Sequence, residues 1–207
     1  MKVFLGKEAE KFLKGLPLAK SFLIKTPKEL TKIKKFPVVM KLISPQAIHK
    51  TDIGGIKTVN SLQESQQTFN NFMKLAKSKR MKLTGVLIQE YVKGREFIIG
   101  IKKDPTFGHV IMFGAGGIFV ESLRDVTFRV CPISDTDADS MIEDLKNKWL
   151  ITGTRGQKPI DGKLLRQILV KVSKLSQRYK RIEELDINPL IANEKEAKIV
   201  DVRTVVS

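Results

Sequence analysis

The sequence predicts a mixed α/β (α+β) fold in two lobes. Apolar strand-like runs alternate with helical patterns over roughly the first 90 residues, whereas β-hairpins dominate the remainder. No linker rich in proline or serine separates the two parts. The change from alternating strands and helices to hairpins falls near residues 85–92. We therefore expect one domain over 1–207, with an N-terminal lobe of about 1–88 and a C-terminal lobe of about 89–207.

In the first lobe, Thr26 is placed as the N-cap of a helix whose first turn contains Pro27. A later run has apolar residues at helical spacing behind a serine cap. The predicted elements are, in chain order, helix 8–16, strand 19–24, helix 26–36, strand 37–43, helix 61–79 and strand 85–92.

In the second lobe, the turn sequence DPTFG separates two apolar runs and predicts a β-hairpin. Two amphipathic helical patterns follow, and a second hairpin closes the chain. The predicted elements are strands 95–103 and 109–114, strand 127–133, helices 135–150 and 163–179, and the closing hairpin 181–206.

Composition indicates a globular protein without a membrane span. The 207 residues are 42% hydrophobic and 29% charged, which suffices for a core in each lobe. No apolar stretch reaches the ~18 residues of a spanning helix, and the N-terminus turns charged too early for a signal peptide. The single cysteine, Cys131, fits a reducing compartment, so we expect a cytoplasmic protein.

The net charge of +16 has two interpretations. One is nucleic-acid binding, and the other is a lysine-rich surface that faces an acidic partner or phosphorylated ligands. The lysines are spread along helical stretches, aromatic residues are few, and no DNA- or RNA-binding motif is found. These features favour the second interpretation and leave nucleic acid as the weaker alternative.

The closing hairpin places oxygen-bearing side chains together. In ELDINPL, alternation puts Asp186 and Asn188 on one face. The same rule puts Asp201 on the face of Ile199. If the turn centres between residues 194 and 195, Asn188 lies opposite Asp201, with Cβ atoms ~5 Å apart. Such a pair can hold Mg²⁺, although a solvated polar face on an edge hairpin explains the pattern equally well.

Three further features would suit a nucleotide. Lys41 lies within an apolar strand and needs either an anionic partner or a route to water. Gly54 and Gly55 would let backbone N–H groups approach phosphate oxygens, or simply form a turn. Glu90 and Glu96 flank a glycine at the predicted hinge, where an exposed charged turn is the alternative.

Taken together, these stretches resemble the ATP-grasp subunit of ADP-forming acyl-CoA synthetases (acetate–CoA ligase, ADP-forming, beta subunit), and are similar to the nucleotide-binding part of succinyl-CoA synthetase beta chains. The resemblance rests on Lys41 in its strand, SPQAIHKTDIGGI, QEYVKGREF, GHVIMFGAGGIFVE and ELDINPL…VDVR. It implies an ATP-grasp fold with a nucleotide cleft between the lobes. It also implies a partner, the CoA-binding alpha subunit, because the CoA- and acyl-binding half of this family is a separate domain or subunit and carries the acyl pocket.

The resemblance implies a role for each candidate residue. Lys41 would bind the α/β-phosphates; the proximity of Gly54 and Gly55 to phosphate rests only on the backbone argument above. The remaining assignments are Glu90, Tyr91 and Val92 for the adenine-binding hinge, Glu96 for ribose, and Asn188 and Asp201, with Asp186 beside them, for Mg²⁺.

His49 lies in the glycine-closed loop that follows the Lys41 strand. In the family, a phosphoryl group travels between distant sites on histidines, and neutral imidazole is nucleophilic near pH 7. We therefore expect His49 to relay the phosphoryl group, and the alternative is that it only caps the loop. His109, at a hairpin start, is expected to be structural. Residues Arg124, Arg129 and Arg155 are unranked candidates for phosphate or partner contacts.

The expected function is the nucleotide half of acyl-CoA + ADP + phosphate ⇌ carboxylic acid + ATP + CoA. One alternative is a nucleotide-binding regulatory half of a related acyltransferase. A basic nucleic-acid-binding module is the other. The acyl group and the preference for adenine or guanine cannot be read from the residues.

Overall fold

The computed structural model describes residues 1–44, 53–117, 125–154 and 156–207. They form two compact units, and the chain passes between the units twice. The larger unit combines Met1–Leu18 with Lys93–Ser207, and the smaller unit is Ala19–Val92.

The strands and helices largely follow the sequence prediction, with two additional strands, β1 and β4. The strands are β1 Lys2–Leu5, β2 Ser21–Ile24, β3 Val38–Ile43, β4 Ile56–Val59, β5 Gly85–Glu90, β6 Arg95–Asp104, β7 Gly108–Ala115, β8 Val126–Val130, β9 Ile182–Ala192, β10 Ala197–Ile199 and β11 Val202–Val206. The α-helices are α1 Lys7–Glu10, α2 Leu62–Ser78, α3 Asp135–Glu143, α4 Trp149–Thr152, α5 Gly162–Ser173 and α6 Leu175–Arg178. The described residues also form two 3₁₀ turns, Lys11–Leu13 and Pro27–Lys32.

The smaller unit is a four-stranded sheet in the order β2-β5-β3-β4, in which every neighbouring pair is antiparallel. Helix α2 begins as predicted, because the Ser61 hydroxyl accepts a hydrogen bond from Glu64 N at 3.1 Å. Its apolar face packs Phe69 and Phe72 against Met40 of β3 and other core residues. Burial of these side chains fixes which face of the sheet is covered by the helix.

The larger unit is built on an antiparallel sheet in the order β1-β11-β9-β6-β7-β8, with β10 also paired to β9. Its core joins sheet residues such as Phe113 and Ile187 to helix residues such as Met141 and Leu169. Phe97 and Phe113 lie on neighbouring strands, and their rings stack with centroids 5.5 Å apart. This packing buries one face of β9 and leaves its alternate residues on the other face.

The division of the chain differs from the expected one at the N-terminus. The expected boundary at 88/89 lies close to the observed boundary after Val92, but residues 1–18 belong to the larger unit rather than to the first lobe. The reason is that β1 pairs antiparallel with β11, from Lys2 opposite Val206 to Leu5 opposite Arg203. This pairing joins the two ends of the chain, and the sequence near the N-terminus alone does not predict it.

The described helices are all too short or too polar to cross a membrane. The longest is α2, with 17 residues. The predicted helix 135–150 is two helices, α3 and α4. They are separated at Asn147, where Asp125 accepts hydrogen bonds from the backbone.

Candidate functional site

The closing hairpin brings together the oxygen-bearing residues of the predicted metal site. Ile199 lies opposite Leu190, and Val202 lies opposite Ile187. This register centres the turn between residues 194 and 195 and places Asn188 opposite Asp201, as predicted. Asn188 N donates to Asp201 O at 3.2 Å, which fixes the pair directly.

A β-bulge on β9 sets the direction of these side chains. Phe97 of β6 lies opposite Leu190, and Ile99 lies opposite Ile187, so two steps on β6 match three steps on β9. The extra residue lets both Ile187 and Leu190 enter the core. Bulges redirect side chains in this way, and here the bulge leaves Asn188 exposed.

The expectation that Asp201 shares a face with Ile199 is wrong. Ile199 and Val202 both lie in the core, three residues apart, while Asp201 between them is half-buried. The strand is interrupted between β10 and β11 at the level of the bulge, and simple alternation fails there. The interruption turns Asp201 away from the core, on the same level as Asn188.

Burial and neighbouring charges both act on Asp186. Partial burial raises the pKa of Asp186, the Arg203 guanidinium opposes that rise, and the negative charges of Asp201 and Glu184 add to it. Arg203 lies opposite Asp186 in the ladder and also forms an ion pair with Glu184 at 3.2 Å. Burial therefore contributes most to the raised pKa of Asp186, and the two neighbouring carboxylates contribute less.

The donor set is incomplete without a ligand. Among the described residues, no three His, Cys, Asp or Glu side chains lie close enough to hold a metal ion. Asp186, Asn188 and Asp201 supply carboxylate and amide oxygens, which suit Mg²⁺, an ion that usually keeps waters and phosphate oxygens as further ligands. The residues present fit an ion held jointly by the protein and a nucleotide.

Glu96 lies on β6, next to β9, in the same unit as the carboxylate cluster. Its side chain is exposed, and its carbonyl accepts a hydrogen bond from Gly116 N at 2.8 Å. The first half of the GAGG sequence is strand, because Gly114 and Ala115 form the end of β7. Gly116 and Gly117 then cross over Glu96.

Lys41 lies on β3 of the smaller unit and is only 4% exposed. Its neighbours Met40 and Leu42 enter the core below α2, so alternation puts Lys41 on the other face of the sheet. There it lies opposite Leu87 of β5 and Ile56 of β4.

Of the predicted hinge residues, Glu90 ends β5, and Tyr91 and Val92 follow it where the chain leaves the smaller unit. Glu90 also has a local role, because its carboxylate accepts a hydrogen bond from Lys20 N at 2.7 Å, while Glu90 N donates to Lys20 O at 2.9 Å. Tyr91 is 45% exposed, and Val92 is buried. The Lys20–Glu90 pair fixes the end of the sheet close to both points where the chain passes between units.

The glycine loop is described only from residue 53. Gly54 is exposed, and Gly55 is buried with its carbonyl bound to Leu42 N at 2.8 Å. The proposed relay residue His49 lies outside the described residues, as do Arg124 and Arg155. The roles of these three residues stay predictions.

Two other candidates have structural contacts. The His109 ring forms a hydrogen bond, through Nε2, with the Ile182 carbonyl at 2.7 Å, in agreement with the expected structural role. Arg129 donates to Ser140 at 2.8 Å and pairs with Asp144 at 2.7 Å, which ties β8 to α3. These contacts account for Arg129 without a phosphate.

Sequence reasoning missed two neighbours of the candidate residues. The register that pairs Asn188 with Asp201 also places Arg203 opposite Asp186, so that neighbour could have been found. The contact of Gly117 with Glu96 could not be predicted from nearby sequence, because the two residues come together only through the pairing of β6 with β7.

The sequence profile of the ATP-grasp domain matches residues 2–206. The chain belongs to the ATP-grasp family. This ATP-grasp chain is 46% identical, over 96% of its length, to the 4-hydroxybutyrate–CoA ligase (ADP-forming) of Nitrosopumilus maritimus, of which it spans only 30%. It is 41% identical, again over 96% of its length, to the acetate–CoA ligase (ADP-forming) I subunit beta of Pyrococcus furiosus, of which it spans 89%.

Solved structures agree with this family assignment. The dinucleotide-forming acetyl-coenzyme A synthetase 1 of Ca. Korarchaeum cryptofilum, in complex with coenzyme A and Ca-AMPCP, aligns with a TM-score of 0.94 and 38% identity. The alignment covers 100% of this chain and 94% of that chain. Another structure of the same synthetase, with Mg-AMPPCP and a phosphohistidine segment that points towards the nucleotide site, aligns with a TM-score of 0.86 and 38% identity, over 100% of this chain and 93% of that chain.

Proposed function

We propose that this chain is the nucleotide-binding part of an ADP-forming acyl-CoA synthetase. It would bind Mg-ADP or Mg-ATP and exchange a phosphoryl group with a histidine relay. The observation that carries the proposal is the cluster of Asp186, Asn188 and Asp201 at the β9 bulge. Its support is the 41% identity to a ligase beta subunit, which this chain matches over 89% of that subunit's length.

The metal would be held by Asn188 and Asp201, with Asp186 beside them. Bound there, Mg²⁺ would neutralise charge on the phosphate oxygens during transfer. The protein contributes fixed oxygen donors, since Asp201 Oδ1 is oriented by a 3.0 Å hydrogen bond from Val202 N. The solved relative with Mg-AMPPCP supports magnesium and an adenine nucleotide as ligands.

The other candidate residues would position the nucleotide. Lys41 supplies positive charge for the α/β-phosphates from the face of β3 opposite the core. The backbone of Glu90, Tyr91 and Val92 would contact adenine, and the exposed Glu96 carboxylate would accept hydrogen bonds from ribose hydroxyls. Gly54 and Gly55 would lie near phosphate.

The phosphoryl relay is assigned to His49 on its chemistry and its place in the loop after β3. The CoA-binding alpha subunit would be a separate partner, so that the full activity belongs to a hetero-oligomer. The phosphohistidine segment named for the Ca. Korarchaeum cryptofilum synthetase supports a histidine-borne phosphoryl group in such enzymes.

Titration calorimetry with Mg-ADP tests the nucleotide half of the proposal. We expect saturable binding that falls steeply when EDTA removes the magnesium, because the two ligands share a site. The same titration with a random DNA duplex is the control for non-specific cation–phosphate attraction, which decreases strongly with salt. Absence of heat and of thermal stabilisation at millimolar Mg-ADP would overturn the proposal.

Reconstitution tests the catalytic half. The chain alone should not convert acyl-CoA, whereas a mixture with a CoA-binding alpha subunit should form ATP from acyl-CoA, ADP and phosphate. Nucleotide binding without ATP formation in a stable reconstituted complex would instead support a regulatory ATP-grasp half.

A further inference from the structure

Gly117 occupies the space that a side chain would need beside the Glu96 carboxylate. A Cβ atom built on Gly117 would lie 2.9 Å from Glu96 Oε2, which is closer than real Cβ contacts. The preceding Gly116 is equally close to the Glu96 backbone and donates its N–H to the Glu96 carbonyl at 2.8 Å. The end of the GAGG sequence therefore lies over both the backbone and the side chain of Glu96.

We propose that Gly117 is a positioning residue: because it has no side chain, the Glu96 carboxylate can occupy the place from which it would bind the ribose hydroxyls of the nucleotide. The inference rests on the proposed function, because it takes the ribose contact of Glu96 as given. The inference adds a second residue to the ribose site, because Glu96 lies on β6 whereas Gly117 follows the end of β7. The absence of a side chain on Gly117 leaves open the space that the Glu96 carboxylate occupies.

The contact differs from ordinary glycine packing. At Gly116 a side chain would meet backbone atoms, which cannot move without disturbing β6. At Gly117 it would meet, among the described residues, only the end of a flexible glutamate, so the carboxylate can swing away with little cost to the fold. A side chain at Gly117 should therefore change ligand recognition more than stability.

The chain offers a matched control for backbone strain. Gly117 has φ +65°, and Gly108, the first residue of β7, has φ +74°. An alanine at either position meets the same left-handed penalty. A Cβ on Gly108 meets nothing within 4 Å, so the two substitutions differ in the contact with Glu96.

The experiment compares Mg-ADP with its 2′-deoxy and 3′-deoxy analogues by calorimetry. In the wild type, the analogue that lacks the hydroxyl bound by Glu96 should bind about tenfold more weakly, as expected for a hydrogen bond to a charged group. Gly117→Ala should reduce this discrimination to less than about threefold, whereas Gly108→Ala should keep it. Both variants should melt at similar temperatures.

The variant Glu96→Ala separates the ribose role of Glu96 from the positioning role of Gly117. Discrimination that survives Glu96→Ala would overturn the ribose role of Glu96, and the inference with it. Discrimination lost in Glu96→Ala but kept in Gly117→Ala would overturn the inference alone.

The double variant Glu96→Ala/Gly117→Ala covers the case in which Gly117→Ala fails to fold. Without the glutamate the added Cβ has room, so the double variant should fold and bind each ligand like Glu96→Ala. A further loss of affinity in the double variant would show that Gly117 acts by another route and would overturn the inference.

Discussion

Asp125 should contribute strongly to the stability of the larger unit. It directly precedes β8 and is only 3% exposed. Its carboxylate accepts three hydrogen bonds of 2.8 Å, from Lys146 N, Asn147 N and Asn147 Nδ2. Its carbonyl accepts a fourth, from Ala115 N at 3.1 Å. The side chain thus ties the segment between α3 and α4 to the sheet.

Asp125→Ala removes the acceptor of three donors at once. At roughly 1 kcal/mol for each net hydrogen bond, we expect the free energy of unfolding to fall by about 3 kcal/mol. The measurement is urea unfolding followed by far-UV circular dichroism. Asp104→Ala is the control, since Asp104 also accepts two backbone N–H groups but in an exposed turn, where water can replace it.

The effect of Asp125 should depend on pH. Burial raises the pKa of Asp125, but the hydrogen bonds from Lys146 and Asn147 outweigh it and hold the pKa below its ordinary value. A carboxyl with a lowered folded pKa contributes stability above its unfolded pKa of about 4. The contribution is lost as the pH falls through the folded pKa. The difference between wild type and Asp125→Ala should therefore shrink in acid, and a loss below about 1 kcal/mol at pH 7 would refute the reasoning.

Three further predictions concern the site and its surroundings. Asp201→Asn and Asn188→Ala should each weaken Mg-ADP binding in calorimetry by about tenfold or more. The melting temperature should stay unchanged because both residues face away from the core, and a cooperative loss of folding would contradict this. His49→Ala should leave Mg-ADP binding intact but abolish acyl-CoA-dependent ATP synthesis by the reconstituted complex. If the variant keeps more than about a tenth of the wild-type rate, which corresponds to losing less than ~1.4 kcal/mol of transition-state stabilisation, an obligatory relay is excluded. Arg129→Ala should lower stability by no more than about 1 kcal/mol and leave Mg-ADP affinity unchanged, whereas a large loss of affinity would assign Arg129 to the nucleotide.

Most helices and strands were predictable from the sequence, because caps, apolar spacing and turn residues act over a few neighbouring positions. The Ser61 cap, the apolar spacing of α2 and the turn after Asp104 each depend on residues within a few positions. The register of the closing hairpin was also predictable, since the centre of its turn determines which residues face each other. The pairing of Asn188 with Asp201 followed from it.

Simple alternation failed at the bulge. A strand pattern assumes one residue for each position of the neighbouring strand, but β9 has an extra residue opposite β6 between Ile187 and Leu190. The Asn-Pro sequence at 188–189 is a signal for such an irregularity, because proline cannot donate to the ladder. The direction of Asp201 became clear only from the burial of Ile199 and Val202 around it.

The sequence by itself determined the types of residue available to the site and their positions along each strand. The tertiary structure decided which of them meet. Strand β1 joins the larger unit because its backbone pairs with β11, about 200 positions away in the chain. Gly117 meets Glu96 because β6 and β7 are neighbours in the sheet. Such contacts depend on hydrogen bonds between distant segments, and these form only when the whole sheet is assembled.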